Sequence, residues 1–183
     1  MPDTSNDQIP LFVDLDGTVI KEDAMWISLR LIARTKPWLL AVLSFYVLGG
    51  RAAFKSGLAR FLTPDPALLP YNDDVLKFLR DEKDRGRRLI LATAANRRVA
   101  ESVFRYLGLF HDVMASDSHR NLKGPTKLAA ILGYTKGRPF DYMGDSMADL
   151  PILEAAATGY LVHPRRQLAE LAQKTCRIGR VFS

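Results

Sequence analysis

Cysteine is almost absent from this chain: Cys176 is the sole thiol among 183 residues. An internal disulfide is therefore excluded, and so is a cysteine-built zinc cluster. Histidine is scarce as well. His111, His119 and His163 lack partners at ligand spacing and read as surface or packing residues. No internal repeat or low-complexity tract is present. Residues 1–10 are polar, without the apolar core of a signal peptide, so secretion is not expected and a cytoplasmic location is. The apolar run from Trp38 to Leu48 is too short to span a bilayer, which takes roughly 20 residues.

What is present is an ordinary globular balance, 48% apolar and 25% charged residues. The length suits one domain with a real core and a small insert. The formal net charge of +6 makes the surface basic, which aids solubility and attracts anionic substrates or an anionic membrane surface. The Arg and Lys residues are scattered and no nucleic-acid motif accompanies them, so a nucleic-acid partner is not expected.

Along the chain, Ile9-Pro10-Leu11-Phe12-Val13 reads as a buried strand that ends at Asp14. Asp23 is a fitting N-cap for a helix carrying Met25, Trp26, Leu29, Ile32 and Ala33 at helical spacing. The apolar run Trp38–Leu48 comes next, then a third helical segment over Ala52–Phe61, and Pro64, Pro66 and Pro70 mark an irregular return. Residues 22–70 thus read as a helical insert. Beyond it, strands and helices alternate. Strands are predicted at Arg88–Thr93, Asp112–Ser116, Phe140–Met143 and Tyr160–Val162. Helices are predicted at Asp73–Gly86, Asn96–Leu107, Pro125–Gly133, Ala148–Ala157 and Gln167–Gln173. This order implies an α/β fold, a parallel sheet covered on both faces with its chemistry at the C-terminal strand ends.

Those ends carry Asp14 and Asp16, then Thr93, then Gly144-Asp145 with Asp149 one helical turn on; Lys123 lies before a Pro-started helix. Carboxylates converging on one crevice repel each other unless a cation or shared protons intervene. Oxygen ligands without His or Cys suit Mg²⁺. A lysine and a hydroxyl suit phosphate oxygens, and the set is coherent for phosphoryl transfer.

Four motifs in order resemble the haloacid dehalogenase superfamily: Asp14-Leu15-Asp16-Gly17-Thr18, Leu91-Ala92-Thr93, Lys123-Gly124, and Gly144-Asp145-Ser146-Met147-Ala148-Asp149. The resemblance implies a Rossmann-like core, residues 1–21 and 71–183, with a small helical cap inserted at 22–70. It implies that Asp14 is the nucleophile, forming an aspartyl-phosphate, and a metal ligand. Asp16 would be the general acid/base and bind Mg²⁺ through its carbonyl. Thr93 and Lys123 would hold the phosphate, Lys123 also steadying Asp14. Asp145 would bind the metal and Asp149 would orient that shell. Lys127, one turn later, is the alternative lysine; the Lys-Gly pair favours Lys123. An acid at Asp16 resembles phosphatases and phosphomutases rather than dehalogenases.

In that superfamily the cap largely sets substrate choice. Here it is apolar and flanked by Arg30, Arg34, Lys36, Arg51 and Lys55, a pattern compatible with a helix buried in the cap or lying on a membrane surface. The stretches Lys36-Pro37-Trp38-Leu39-Leu40, Leu69-Pro70-Tyr71-Asn72, Leu91-Ala92-Thr93-Ala94-Ala95 and Asn121-Leu122-Lys123-Gly124 look like the domain fused ahead of UbiA-superfamily intramembrane prenyltransferases. That narrower resemblance implies a prenyl or other lipid phosphate as substrate, or docking to a membrane prenyltransferase. The expected activity is phosphomonoester hydrolysis. The rivals are a phosphomutase and a non-catalytic docking domain.

Overall fold

The computed structural model describes residues 9–39, 63–117 and 120–183. Among these, six strands form one sheet in the order β3-β2-β1-β4-β5-β6, every neighbouring pair parallel. The strands are β1 (Leu11–Val13), β2 (Leu89–Asn96), β3 (Asp112–Ser116), β4 (Asp141–Gly144), β5 (Gly159–Val162) and β6 (Ile178–Phe182). The helices are α1 (Ala24–Thr35), α2 (Asp73–Asp84), α3 (Arg97–Leu107), α4 (Pro125–Thr135), α5 (Leu150–Ala155) and α6 (Arg166–Thr175).

Both faces of the sheet are covered, and the central strands are apolar for that reason. Successive residues serve opposite faces. Leu11 and Val13 join Leu89, Leu91 and Met143 in one cluster, while Phe12 joins Ile90 and Tyr142 in the other. The strand order reverses between β1 and β4, where a crevice opens at the carboxyl ends of the strands. Asp14 comes directly after β1 and Asp145 directly after β4, so the topology brings the two motifs to that crevice.

The opposite end of the sheet is tied by a buried ion network. Arg87 bonds Asp141, Glu82 (2.7 Å) and the Ile9 carbonyl (2.9 Å). Strands β1, β2 and β4 are thereby clamped at their entry ends, away from the crevice.

Several elements differ in extent from the sequence expectation. β2 continues three residues past Thr93, to Asn96, which caps α3 by accepting from Arg98 N. α4 runs through Gly133 to Thr135 and stops at Lys136, which is left-handed at φ 53°. The helix expected over Ala148–Ala157 is a 3-10 turn at Met147–Asp149 followed by α5, with Pro151 in its first turn. Strand β6 is additional to the predicted strands. It is a largely exposed edge, and the Arg180 guanidinium lies 4.5 Å from the centre of the Phe182 ring.

Of the insert, α1 is in place, with the Asp23 carboxylate accepting from Met25 N at 2.8 Å. The chain on either side of the expected insert runs side by side: Lys21 N bonds Pro70 O at 2.8 Å and Asn72 N bonds Val19 O at 2.9 Å. Most of the apolar run Trp38–Leu48, the segment Ala52–Phe61 and His119 lie outside the described residues.

Candidate active site

Asp14 stands directly after β1, 8% exposed. Its Oδ1 accepts from Leu15 N at 2.7 Å, and its Oδ2 meets Lys127 Nζ at 2.9 Å. The chain then turns at Gly17, whose φ of +75° is left-handed. A Cβ there would come 2.2 Å from Asp145 Oδ2, so glycine is required both by the turn and by the approach of the acid after β4. Asp16 lines the cleft beside Asp14, and its Oδ1 accepts from Ala24 N at 2.8 Å. Ala24 is the first residue of α1, so this N–H has no partner within the helix. The candidate acid/base therefore also anchors the start of α1.

Lys127 is the central cation. It is 1% exposed, yet its three N–H donors are all matched: Asp14 Oδ2 at 2.9 Å, Tyr142 Oη at 2.8 Å and Asp149 Oδ1 at 3.2 Å. The expectation that Lys123 steadies Asp14 is corrected by this geometry. Lys123 precedes α4, is exposed and lines the cleft, whereas Lys127 lies on the inward face of α4 with Ile131 and Thr135.

Asp149 is 1% exposed and fully engaged. Its Oδ1 takes Tyr142 Oη (2.7 Å) and Lys127 Nζ, and its Oδ2 takes Ser146 Oγ (2.7 Å) and Ser146 N (3.2 Å). Those contacts use the roughly four acceptor positions of a carboxylate. Asp149 thus orients its neighbours and has little left for a cation.

Thr93 is buried, with its Oγ1 accepting from Ala95 N at 2.9 Å. Because β2 continues to Asn96, the residue lining the cleft at this strand is Ala94, and Thr93 lies behind it. Tyr142 and Lys21 also belong to the site's surroundings, and no motif in the sequence marks their part in it; Ser146 lies within the fourth motif, where no role was expected of it. Lys21 and Ser146 line the cleft, which encloses about 300 Å³.

The electrostatics result from this crowding. Burial pushes Asp14 above the usual carboxylate range; Lys127 pulls it partly back, and the charge of Asp149 adds to the rise. Burial also lifts Asp145, to about 7, with repulsion from Asp14 and Asp149 behind it. For Asp149 burial works the same way, but Lys127, Tyr142 and Ser146 outweigh it and hold the carboxyl below its ordinary value. Burial opposes the charge on Lys127, and Asp14 and Asp149 overcome it, raising the ammonium's pKa. Asp14, Asp145 and Asp149 bring oxygen atoms within 4.8 Å of one another, against one buried ammonium. A hard divalent cation fits beside Asp14 and Asp145: their donors are oxygens, with no thiol or imidazole among them, and Asp149 adds to the surplus of negative charge rather than a ligand atom.

Comparison with known proteins gives the same frame. The family model for haloacid dehalogenase-like hydrolases matches residues 11–154. The uncharacterized protein y4nM of Sinorhizobium fredii (strain NBRC 101917 / NGR234) is 36% identical over 165 residues, 85% of this chain; the chain spans 30% of that relative's length. Among solved structures, a protein with unknown function from Bordetella pertussis Tohama I has a TM-score of 0.68 at 18% identity, covering 92% of this chain and 96% of its own. A phosphoserine phosphohydrolase-like protein from Francisella tularensis subsp. tularensis SCHU S4 has a TM-score of 0.61 at 15% identity, covering 94% and 95%. At these identities the structural likeness speaks for the fold alone.

Proposed function

Since the chain belongs to the haloacid dehalogenase-like hydrolase family, we propose that it is a Mg²⁺-dependent phosphohydrolase that cleaves phosphomonoesters through an aspartyl-phosphate on Asp14. The observation that carries this reading is the Asp14 carboxylate itself. It is buried, held by Leu15 N and Lys127, and faces a cleft shared with Asp16.

An Asp14 oxygen would attack phosphorus while Asp16 gives its proton to the departing alkoxide. In the second half, Asp16 takes a proton from water, which attacks phosphorus and releases Asp14 and inorganic phosphate. Lys127 keeps a positive charge against Asp14 throughout, and Lys123 on the cleft wall would meet the outer phosphate oxygens, with Thr93 behind the wall in a lesser role. Asp14, Asp145 and the Asp16 carbonyl would hold Mg²⁺. When bound, the cation supplies charge that offsets repulsion between the carboxylate and the phosphate dianion.

For the substrate, we favour a prenyl or other lipid phosphate handled in the cytoplasm at a membrane surface. The apolar stretch of the insert supports this, as does the 66% exposure of Trp38 at its start. No helix among the described residues is long and apolar enough to cross a membrane. The test is phosphate release from a panel of prenyl, lipid, sugar and amino-acid phosphates, with Mg²⁺ and with EDTA. Release that needs Mg²⁺ and is fastest on prenyl phosphates is expected. No release from any of them would overturn the hydrolase reading, and preference for sugar phosphates would overturn the lipid reading alone.

The metal reading has its own test, free of substrate. Burial and the charges of Asp14 and Asp149 push the Asp145 carboxyl from an ordinary 3.8 up to about 7 when no cation is bound. Between those values the unfolded chain has released this proton while the fold still keeps it. The stabilising effect is therefore complete below about pH 4 and lost as the pH rises through 7. With EDTA, the melting temperature is expected to be lower at pH 8 than at pH 5 by several degrees, at about 2–4 °C per kcal/mol for this chain length. Mg²⁺ is expected to raise it more at pH 8 than at pH 5. Equal shifts at both pH values would count against cation binding at these acids.

A further inference from the structure

Tyr142 is a fully buried tyrosine that neither half of the proposed reaction uses. It lies on β4 two residues before Gly144, and its ring leans along the strand toward the site. A Cβ on Gly144 would come 2.8 Å from Tyr142 Cε1 and 3.0 Å from Asp149 Cγ, so glycine makes room for both side chains. The hydroxyl sits between the two charged partners of the network. It donates to Asp149 Oδ1 at 2.7 Å and accepts from Lys127 Nζ at 2.8 Å. Burial, reinforced by Asp149 and Asp14, raises its pKa well above the ordinary phenol value, so it remains an O–H.

One ammonium is shared here by two carboxylates, Asp14 at 2.9 Å and Asp149 at 3.2 Å. The balance between them decides how much positive charge the nucleophile receives. We propose that Tyr142 is a positioning residue that biases Lys127 toward Asp14. By donating to Asp149 Oδ1 it occupies acceptor capacity that would otherwise draw the ammonium. By accepting one N–H it fixes the rotation of the ammonium, so that another N–H points at Asp14 Oδ2. This role rests on the phosphohydrolase reading for its kinetic consequence, but not for its structural one.

The test is Tyr142→Phe, which keeps the ring and its packing and removes only the hydroxyl. With the best substrate of the panel, kcat is expected to fall about tenfold, equivalent to ~1.4 kcal/mol of barrier, while KM changes less than about twofold. The second readout is the side-chain ammonium signal of Lys127 in nitrogen-15 NMR, assigned by its loss in Lys127→Arg. A buried ammonium with three acceptors exchanges slowly with water and gives a cross-peak. In Tyr142→Phe this peak is expected to shift or to be lost to exchange; Tyr134→Phe, in the same protein, should leave it in place. An unchanged Lys127 signal in folded Tyr142→Phe overturns the proposal. So does a lowered melting temperature with kcat and KM intact, which marks a purely structural hydroxyl. Absence of wild-type turnover overturns the hydrolase reading instead, and the ammonium signal, which needs no substrate, still decides the role of Tyr142.

Discussion

Lys127→Met is expected to lower phosphate release by about 10²–10³-fold or more, the usual loss when a preorganised charge is removed from beside a reacting centre. Lys123→Met is expected to lose far less, about tenfold, and mainly in KM. The asymmetry comes from where the two ammonium groups sit. Lys127 Nζ is 2.9 Å from Asp14 Oδ2 and 3.2 Å from Asp149 Oδ1, with its side chain 1% exposed. Lys123 is exposed on the cleft wall. Lys127→Met should also destabilise the fold by ~3 kcal/mol or more at pH 7, because two buried carboxylates lose their counter-charge. Urea unfolding of wild type and variant measures it. The sign with pH is also set. Lys127 has a folded pKa raised above its ordinary 10.5, so its stabilisation is complete below that value and is lost as the pH rises through the folded one. The two stability curves should therefore lie furthest apart near neutrality and converge in strong alkali. Equal kinetic losses in the two methionine variants would return the Asp14 contact to Lys123.

The lysine also shows where sequence reading reaches its limit. Strands β1 and β2 are legible because both sheet faces are buried, and a continuous apolar run such as Leu11-Phe12-Val13 suits a strand covered on both sides. The acids at the ends of β1 and β4 are legible for the same reason, because a strand that runs into the crevice carries the next residue there. Lys127 is readable in principle. It shares an i, i+4, i+8 face with Ile131 and Thr135, the buried face of α4. Charge argues the other way, since a lysine is almost never fully buried unless paired, and its partners lie after β1, on β4 and beyond it. Such pairing is a tertiary fact. Tyr142 is hidden differently: in sequence it is one more apolar strand residue, and only the packing of α4 and the Met147–Asp149 turn over β4 gives its hydroxyl a purpose. Thr93 is expected at the cleft only if β2 ends there; three further residues of strand put Ala94 at the wall instead. Strand β6 escapes because Gly179 and Arg180 interrupt its apolar pattern, which an edge exposed to solvent tolerates.

Asp14→Asn and Asp16→Asn are expected to separate the two halves of the reaction while both variants stay folded. Asparagine at 14 removes a buried charge that burial and Asp149 already disfavour, and Lys127 keeps Asp149 and Tyr142 as partners. Asparagine at 16 retains an Oδ1 to accept from Ala24 N, so the anchor of α1 survives. Without a carboxylate nucleophile, turnover by Asp14→Asn should drop about 10⁵–10⁶-fold on every substrate, as for other nucleophile deletions. Loss of the acid/base at Asp16 should cost about 10²–10⁴-fold on alkyl phosphates. The difference lies in which species accumulates. An aryl phosphate carries a leaving group that departs without protonation, so Asp16→Asn should still transfer phosphoryl to Asp14. Hydrolysis of that acyl phosphate, however, needs a base for the attacking water. Acid quenching followed by intact-mass measurement should then find one added phosphoryl group on Asp16→Asn, little on wild type and none on Asp14→Asn. Label on Asp14→Asn would move the nucleophile elsewhere. A rapid burst of the phenol from Asp16→Asn followed by slow release of phosphate would assign the proton of the second step to Asp16.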